Sequence, residues 1–174
     1  MALAETHDLT AAALRLDAVR THALWRNGTA THLLLAGSWL GRPQVAVVPM
    51  PPHGATTALQ SRFQAQVPSC SSPTACTVVS GIAVLGSIAF LTLEHPAGLV
   101  LASLDLAAAA VRRSLPLDGA SAGIRVTAVT ADAVLGAFFI AANLPYDPSI
   151  IYKVNTTTLE PYGVARMRTR GVTQ

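Results

Sequence analysis

Charge is what this sequence has least of. Acidic and basic residues occupy 12% of its 174 positions, about half the usual share. Hydrophobic residues make up 51%. Disorder is excluded, because disordered chains are poor in apolar residues and rich in charge. A coiled coil is excluded too, since it needs many Glu, Lys and Arg. Lysine occurs once, as Lys153, and the net charge of +3 equals the contribution of the tail residues Arg166, Arg168 and Arg170. A basic nucleic-acid-binding surface is therefore not expected. Recognisable catalytic signatures are missing as well. There is no Gly-x-Gly-x-x-Gly, no Walker loop, no His-Glu-x-x-His and no Gly-x-Ser-x-Gly. The nine carboxylates are mostly isolated, and no pair has a spacing suited to acid–base work.

The N-terminus has no basic stretch leading into an apolar core, so no signal peptide is read there. The run Thr77–Leu93 is uncharged and 17 residues long, at the lower limit for a membrane-spanning helix. Its β-branched residues and glycines suit two buried strands joined at Gly86 instead.

What the sequence does contain is an internal repeat. Val84-Leu85-Gly86 recurs as Val134-Leu135-Gly136, a shift of 50. At that shift Phe90 meets Ile140, Leu101 meets Ile151, Leu104 meets Val154 and Asp105 meets Asn155. An earlier copy lies at a shift of about 55, with His32–Gly37 over Ser87–Thr92. Asp8–Arg15 resembles Asp105–Arg112 and marks the end of one more copy. Each copy holds short apolar stretches separated by Gly, Pro, Asp or Asn. In the second they are Thr77–Leu85, Ile88–Leu93, Leu99–Leu106 and Val111–Leu117; in the third, Arg125–Val134, Phe138–Ala142, Ile150–Asn155 and Leu159–Met167. Stretches of this length between turn residues are strands. Four strands every 40 to 55 residues is the spacing of a β-propeller blade.

The stretch Ile150-Ile-Tyr-Lys-Val-Asn-Thr-Thr-Thr-Leu159 resembles the blades of YVTN-type surface-protein propellers. The second copy departs from that pattern, with Ala107–Ala110 where polar turn residues are expected. The resemblance implies an all-β fold of antiparallel four-stranded blades forming a partial ring. The expected division is 1–18 as the end of one blade, 19–68 and 69–118 as two blades, and 119–174 as a third with the basic tail. The competing reading is a single α/β domain, since Leu9–Trp25, Ala55–Val67, Leu104–Arg113 and Ala131–Leu144 are rich in the helix formers Ala and Leu. The repeat register favours strands.

Cys70 and Cys76 bracket a Pro- and Ser-containing loop and are expected to form a small disulfide ring. Their spacing is not that of a redox pair, and two thiols are half a zinc shell. Asn27 and Asn155 head N-glycosylation sequons at turn positions. Together these features point to an extracellular or luminal chain, with a cytoplasmic one as the alternative. The five histidines are scattered; His22 and His32 could approach each other. Trp39, Glu94 and His95 fall at equivalent strand ends, where blade loops gather and binding residues collect. Trp25 and Trp39 flank the first inner strand, and packing between blades is the competing expectation for Trp39. Asp105 and Asn155 are expected to cap the turns that follow them. No metal ligand set and no cofactor site is read.

The functional expectation is a non-catalytic propeller-type binding or structural module that mediates protein interaction as part of a larger chain or assembly. The alternatives are a fragment of a propeller enzyme whose site needs missing blades, and a small α/β assembly subunit. A protein partner, or self-association completing the ring, is expected; nucleic acid and a membrane span are not. Both terminal blades are expected to expose an apolar face.

Overall fold

The computed structural model describes Leu16 and residues 18–40, 42–50, 64–66, 79–144 and 147–166. These residues hold twelve strands and no helix. The first antiparallel sheet contains β1 (Ala18–Asn27), β2 (Ala30–Trp39), β3 (Arg42–Pro49) and β4 (Gln64–Gln66). The second contains β5 (Val79–Leu85), β6 (Ile88–His95), β7 (Gly98–Asp105) and β8 (Ala110–Pro116). The third contains β9 (Arg125–Asp132), β10 (Ala137–Leu144), β11 (Asp147–Asn155) and β12 (Pro161–Arg166). Within each sheet, spatial order follows chain order, so strands next to each other in the chain are paired. The described part of the Thr77–Leu93 run holds β5 and most of β6, folded back on each other at Gly86. Among the described residues no helix is long and apolar enough to cross a membrane.

The turns explain why Ala- and Leu-rich segments are not helical, as the α/β alternative required. Asp105 Oδ1 accepts the backbone N–H groups of Ala107 and Ala108, both at 3.0 Å. Asn155 Oδ1 does the same for Thr157 and Thr158, at 2.8 and 3.0 Å. An aspartate or asparagine that holds its own following backbone stops a strand and starts a turn. Leu104–Arg113 is thus divided between β7 and β8, and the alanines after Asp105 form a turn despite their helix preference. Ala131–Leu144 is divided likewise, with Asp132 Oδ1 accepting the Leu135 N–H at 2.9 Å. Gly28 and Gly86 each take the first position of a two-residue hairpin loop, with φ of 60° and 58°. Glycine reaches this left-handed region without a side-chain clash.

The repeat is real, but its register differs from a constant shift. Three matching backbone hydrogen bonds define it: Met50 N–H to Thr31 O, Leu106 N–H to Ser87 O and Thr156 N–H to Gly136 O, at 2.9, 2.8 and 3.0 Å. These make His32, Ile88 and Ala137 equivalent, so Phe90 corresponds to Phe139 and not to Ile140. Each first strand also carries a bulge, with Arg20, Ser80 and Thr127 skipped in the pairing. At two of these bulges a hydroxyl meets the carbonyl that the ladder leaves open. Ser80 Oγ donates to Thr92 O at 3.3 Å, and Thr127 Oγ1 to Ala141 O at 3.1 Å. The Val134-Leu135-Gly136 match comes out as a four-residue hairpin loop, whereas Val84-Leu85 ends a strand.

The three sheets stack in chain order, with β1, β5 and β9 meeting along a common edge. Gly81 in β5 allows this approach: a Cβ there would lie 2.7 Å from Val129 Cγ1 in β9. Side chains alternate between faces. Leu34, Ala36, Val45 and Val47 of the first sheet pack with Ala89, Leu91 and Leu93 of the second, and Trp25 joins them. Phe90, Leu99 and Leu101 on the other face of the second sheet pack with Phe138, Ile140 and Tyr152 of the third. Phe90 and Phe138 stack at 5.4 Å between ring centroids. The expectation that both terminal sheets expose an apolar face is corrected at one end. Leu35, Ala46 and Val48 on the outer face of the first sheet are buried in a cluster with Leu16.

Candidate interaction surface

The hairpins β2–β3, β6–β7 and β10–β11 open at one end of the stack, and the starts of β1, β5 and β9 lie at that same end because neighbouring strands are antiparallel. Trp39 and His95 occupy equivalent hairpin-closing positions there, paired with Arg42 and Gly98. The expected binding residues Trp39, Glu94 and His95 thus share one end of the fold but lie on two different sheets. Trp39 is half-buried, and Leu40 beside it is 72% exposed with a φ of 49°. His95 Nδ1 accepts the Ala97 N–H at 3.1 Å, which ties the imidazole to its own hairpin.

Glu94 does something the sequence did not indicate. Its carboxylate reaches from β6 to β9, accepting Arg125 Nη1 at 2.7 Å and the Val126 backbone N–H at 3.1 Å. It is a clamp between the second and third sheets. Arg20, Ser80, Glu94 and Arg125, drawn from all three sheets, border a shallow cleft at this end. His22 pairs with Leu35 and His32 with Trp25. His22 is exposed, whereas His32 is buried with its ring 4.8 Å from that of Trp25. Among the described residues no three of His, Cys, Asp or Glu gather closely enough to hold a metal ion. Asn27 is exposed at a hairpin, and Asn155 is half-buried and engaged in its turn. Cys70 and Cys76 lie outside the described residues, as do Asp8, Arg168 and Arg170.

The far face of the third sheet is an apolar surface that the described residues cover only in part. By the register above, Phe139 is equivalent to Phe90 and Leu34. The pairs Ala141–Ile151, Thr92–Leu101 and Ala36–Val45 make Ile151 equivalent to Leu101 and Val45. In the first two sheets these positions are buried by the sheet that follows. In the third, Phe139, Ala141 and Ile151 are only half-buried, and Tyr162 is 51% exposed. Among the described elements, no further sheet stacks on them. Lys153 lies on this face, its Nζ 4.8 Å from the Tyr162 ring centroid and 6.0 Å from that of Phe139. The equivalent positions are Val47 and Ser103. The signal for this surface was present in the sequence: the single lysine follows the apolar run Ile150-Ile-Tyr152.

Comparison with known proteins places this geometry. A solved structure named Europium-containing methanol dehydrogenase, a propeller enzyme, superposes with a TM-score of 0.55 at 12% identity. The fold is a partial β-propeller. The likeness covers 87% of this chain and 27% of that one, so the chain spans about a quarter of its length. A second structure, described as Bacillus megaterium YpeB C-terminal domain, matches at a TM-score of 0.21 and 10% identity, over 91% of this chain and 94% of that one. No protein-family model matches the chain, and no curated protein matches it.

Proposed function

We propose that this chain is a propeller-type binding module, and that the far face of its third sheet docks the same face of a second copy of this chain. The observation that carries this is the burial contrast between equivalent positions. Leu34 and Phe90 are covered by the next sheet, but Phe139 is not; Val45 and Leu101 are covered, but Ile151 is not. In stacked repeats each unit is stabilised by burying its face on a neighbour. Lys153, where Val47 and Ser103 stand in the other sheets, lies over the Tyr162 and Phe139 rings, so its charge is partly met on its own face. The buried outer face of the first sheet disfavours head-to-tail ring closure between copies, so a second copy would meet this one through like faces.

The test is Ile151→Glu, which places a charge in the centre of the open face. Its strand is paired on both sides, so the fold should persist by circular dichroism while association is lost in native mass spectrometry. Association equal to that of the unaltered chain would refute the proposal. An enzyme fragment is the second reading, favoured only by the name of the solved neighbour. Placement in an extracellular or luminal compartment belongs to the same proposal. There, Cys70 and Cys76 would be oxidised, and two free thiols in the intact mass of secreted material would remove that part. Trp39, with the exposed Leu40 beside it, is proposed as a secondary contact at the hairpin end.

A further inference from the structure

The second and third sheets pack closely around Phe138 but part at the end opposite the Glu94 clamp. They leave a groove of about 380 Å³, at the small end of the range (about 300–1,000 Å³) of small-molecule pockets. Its apolar wall is Leu85, Ile88 and Phe90. Its rim is Arg112 and Arg113 on β8, facing the turn at Thr157 on the third sheet. Arg113 Nη1 donates to the Thr158 carbonyl at 2.8 Å and bridges the two sheets at the groove's edge. Arg112 is well exposed and only loosely tied, its Nε 3.8 Å from Asp105 Oδ2.

Inside the groove stands Ser103, 5% exposed. Its hydroxyl lines the groove and offers a donor and acceptor lone pairs to an occupant. The equivalent position in the first sheet is Val47, fully buried in the seam with the second sheet. The place that is apolar in the first sheet and Lys153 in the third thus carries a hydroxyl in the second, where a cavity with two guanidinium groups opens.

We propose that this groove binds a small organic anion with an apolar body, a carboxylate on a short hydrocarbon chain. The hydrocarbon would lie on Leu85, Ile88 and Phe90. The carboxylate would accept from the Ser103 hydroxyl and from guanidinium N–H groups, each of which has donors left over after the bonds described. Asp105 offsets one of the two positive charges, which suits a singly charged ligand better than a phosphate dianion.

The full chain is titrated with sodium octanoate, with octanol and with inorganic phosphate, followed by backbone amide NMR. Octanoate should shift the amides of Phe90, Ser103, Arg113 and Thr157, and should bind roughly tenfold or more tightly than octanol. Phosphate alone should bind more weakly than octanoate. Arg112→Gln, at an exposed side chain that the fold does not need, should weaken octanoate by about tenfold and leave octanol unchanged. Ser103→Val should also weaken octanoate, with the amide spectrum reporting that the fold is kept. Equal affinity for octanoate and octanol, tighter binding of phosphate, an Arg112→Gln variant with unaltered octanoate affinity, or shifts centred on Phe139 and Ile151 would each overturn the proposal.

Discussion

Glu94 ties the second sheet to the third at the hairpin end. Replacing it with alanine removes a charge-assisted hydrogen bond to Arg125 and leaves the half-buried Val126 N–H without its acceptor. The expected loss is about 1–2 kcal/mol, read as a lower urea midpoint with an unchanged slope; an unaltered midpoint would deny the clamp. Tyr152 makes a second link, its hydroxyl donating to the Gly119 carbonyl at 3.3 Å in the segment between the second and third sheets. Burial pushes its phenol above the ordinary 10.0, and the Arg166 guanidinium partly offsets this. The folded chain then holds that proton more tightly than the unfolded chain does. The stability it contributes is present below about pH 10 and is lost as pH rises through the folded value. Thermal melts between pH 8 and 11 should therefore fall more steeply for the unaltered chain than for Tyr152→Phe. Parallel profiles would show that the phenol is not coupled to folding.

Among the elements, β6 and β10 are second strands, paired on both sides and packed against a neighbouring sheet. The edge that the sheets share is formed by β1, β5 and β9 instead. Amide exchange should be slowest in Ile88–Leu93 and Phe138–Ala142, because opening them requires breaking two ladders; rapid exchange in both would contradict the stacking. The strands were legible from the sequence because Gly86, Asp105, Asn155 and the prolines punctuate apolar runs at strand length. Their register was not. The four-residue loop after Asp132, against two residues after Leu85, and the irregular pairing between Ala142 and Leu144 change the count between copies without changing composition, and a one-residue slip moves a side chain to the other face. Phe139 was hidden in this way: a constant shift aligned Phe90 with the buried Ile140 and concealed the position left uncovered. The hairpin end holding Trp39, Glu94 and His95 could be read, since it needed only the turn positions. The partner of Glu94 could not, because Arg125 lies 31 residues away on another sheet.

At the scale of the molecule, the fold is three stacked blades with one outer face buried over Leu16 and the other open around Phe139, Ile151 and Tyr162. An apolar surface next to half-buried strands of a low-charge chain is an interaction site or an aggregation hazard. Lys153 favours the first, as a charge placed amid apolar residues on a sheet face discourages unselective pairing. The central claim is that this face is a docking surface, so the mass of the folded chain in solution tests it most directly. Sedimentation equilibrium of the purified chain over a micromolar concentration series should give a weight-average mass rising above the 18.0 kDa of one chain, and Ile151→Glu should return it toward that value. A folded chain that stays at 18.0 kDa throughout the series, with or without the substitution, would contradict the account.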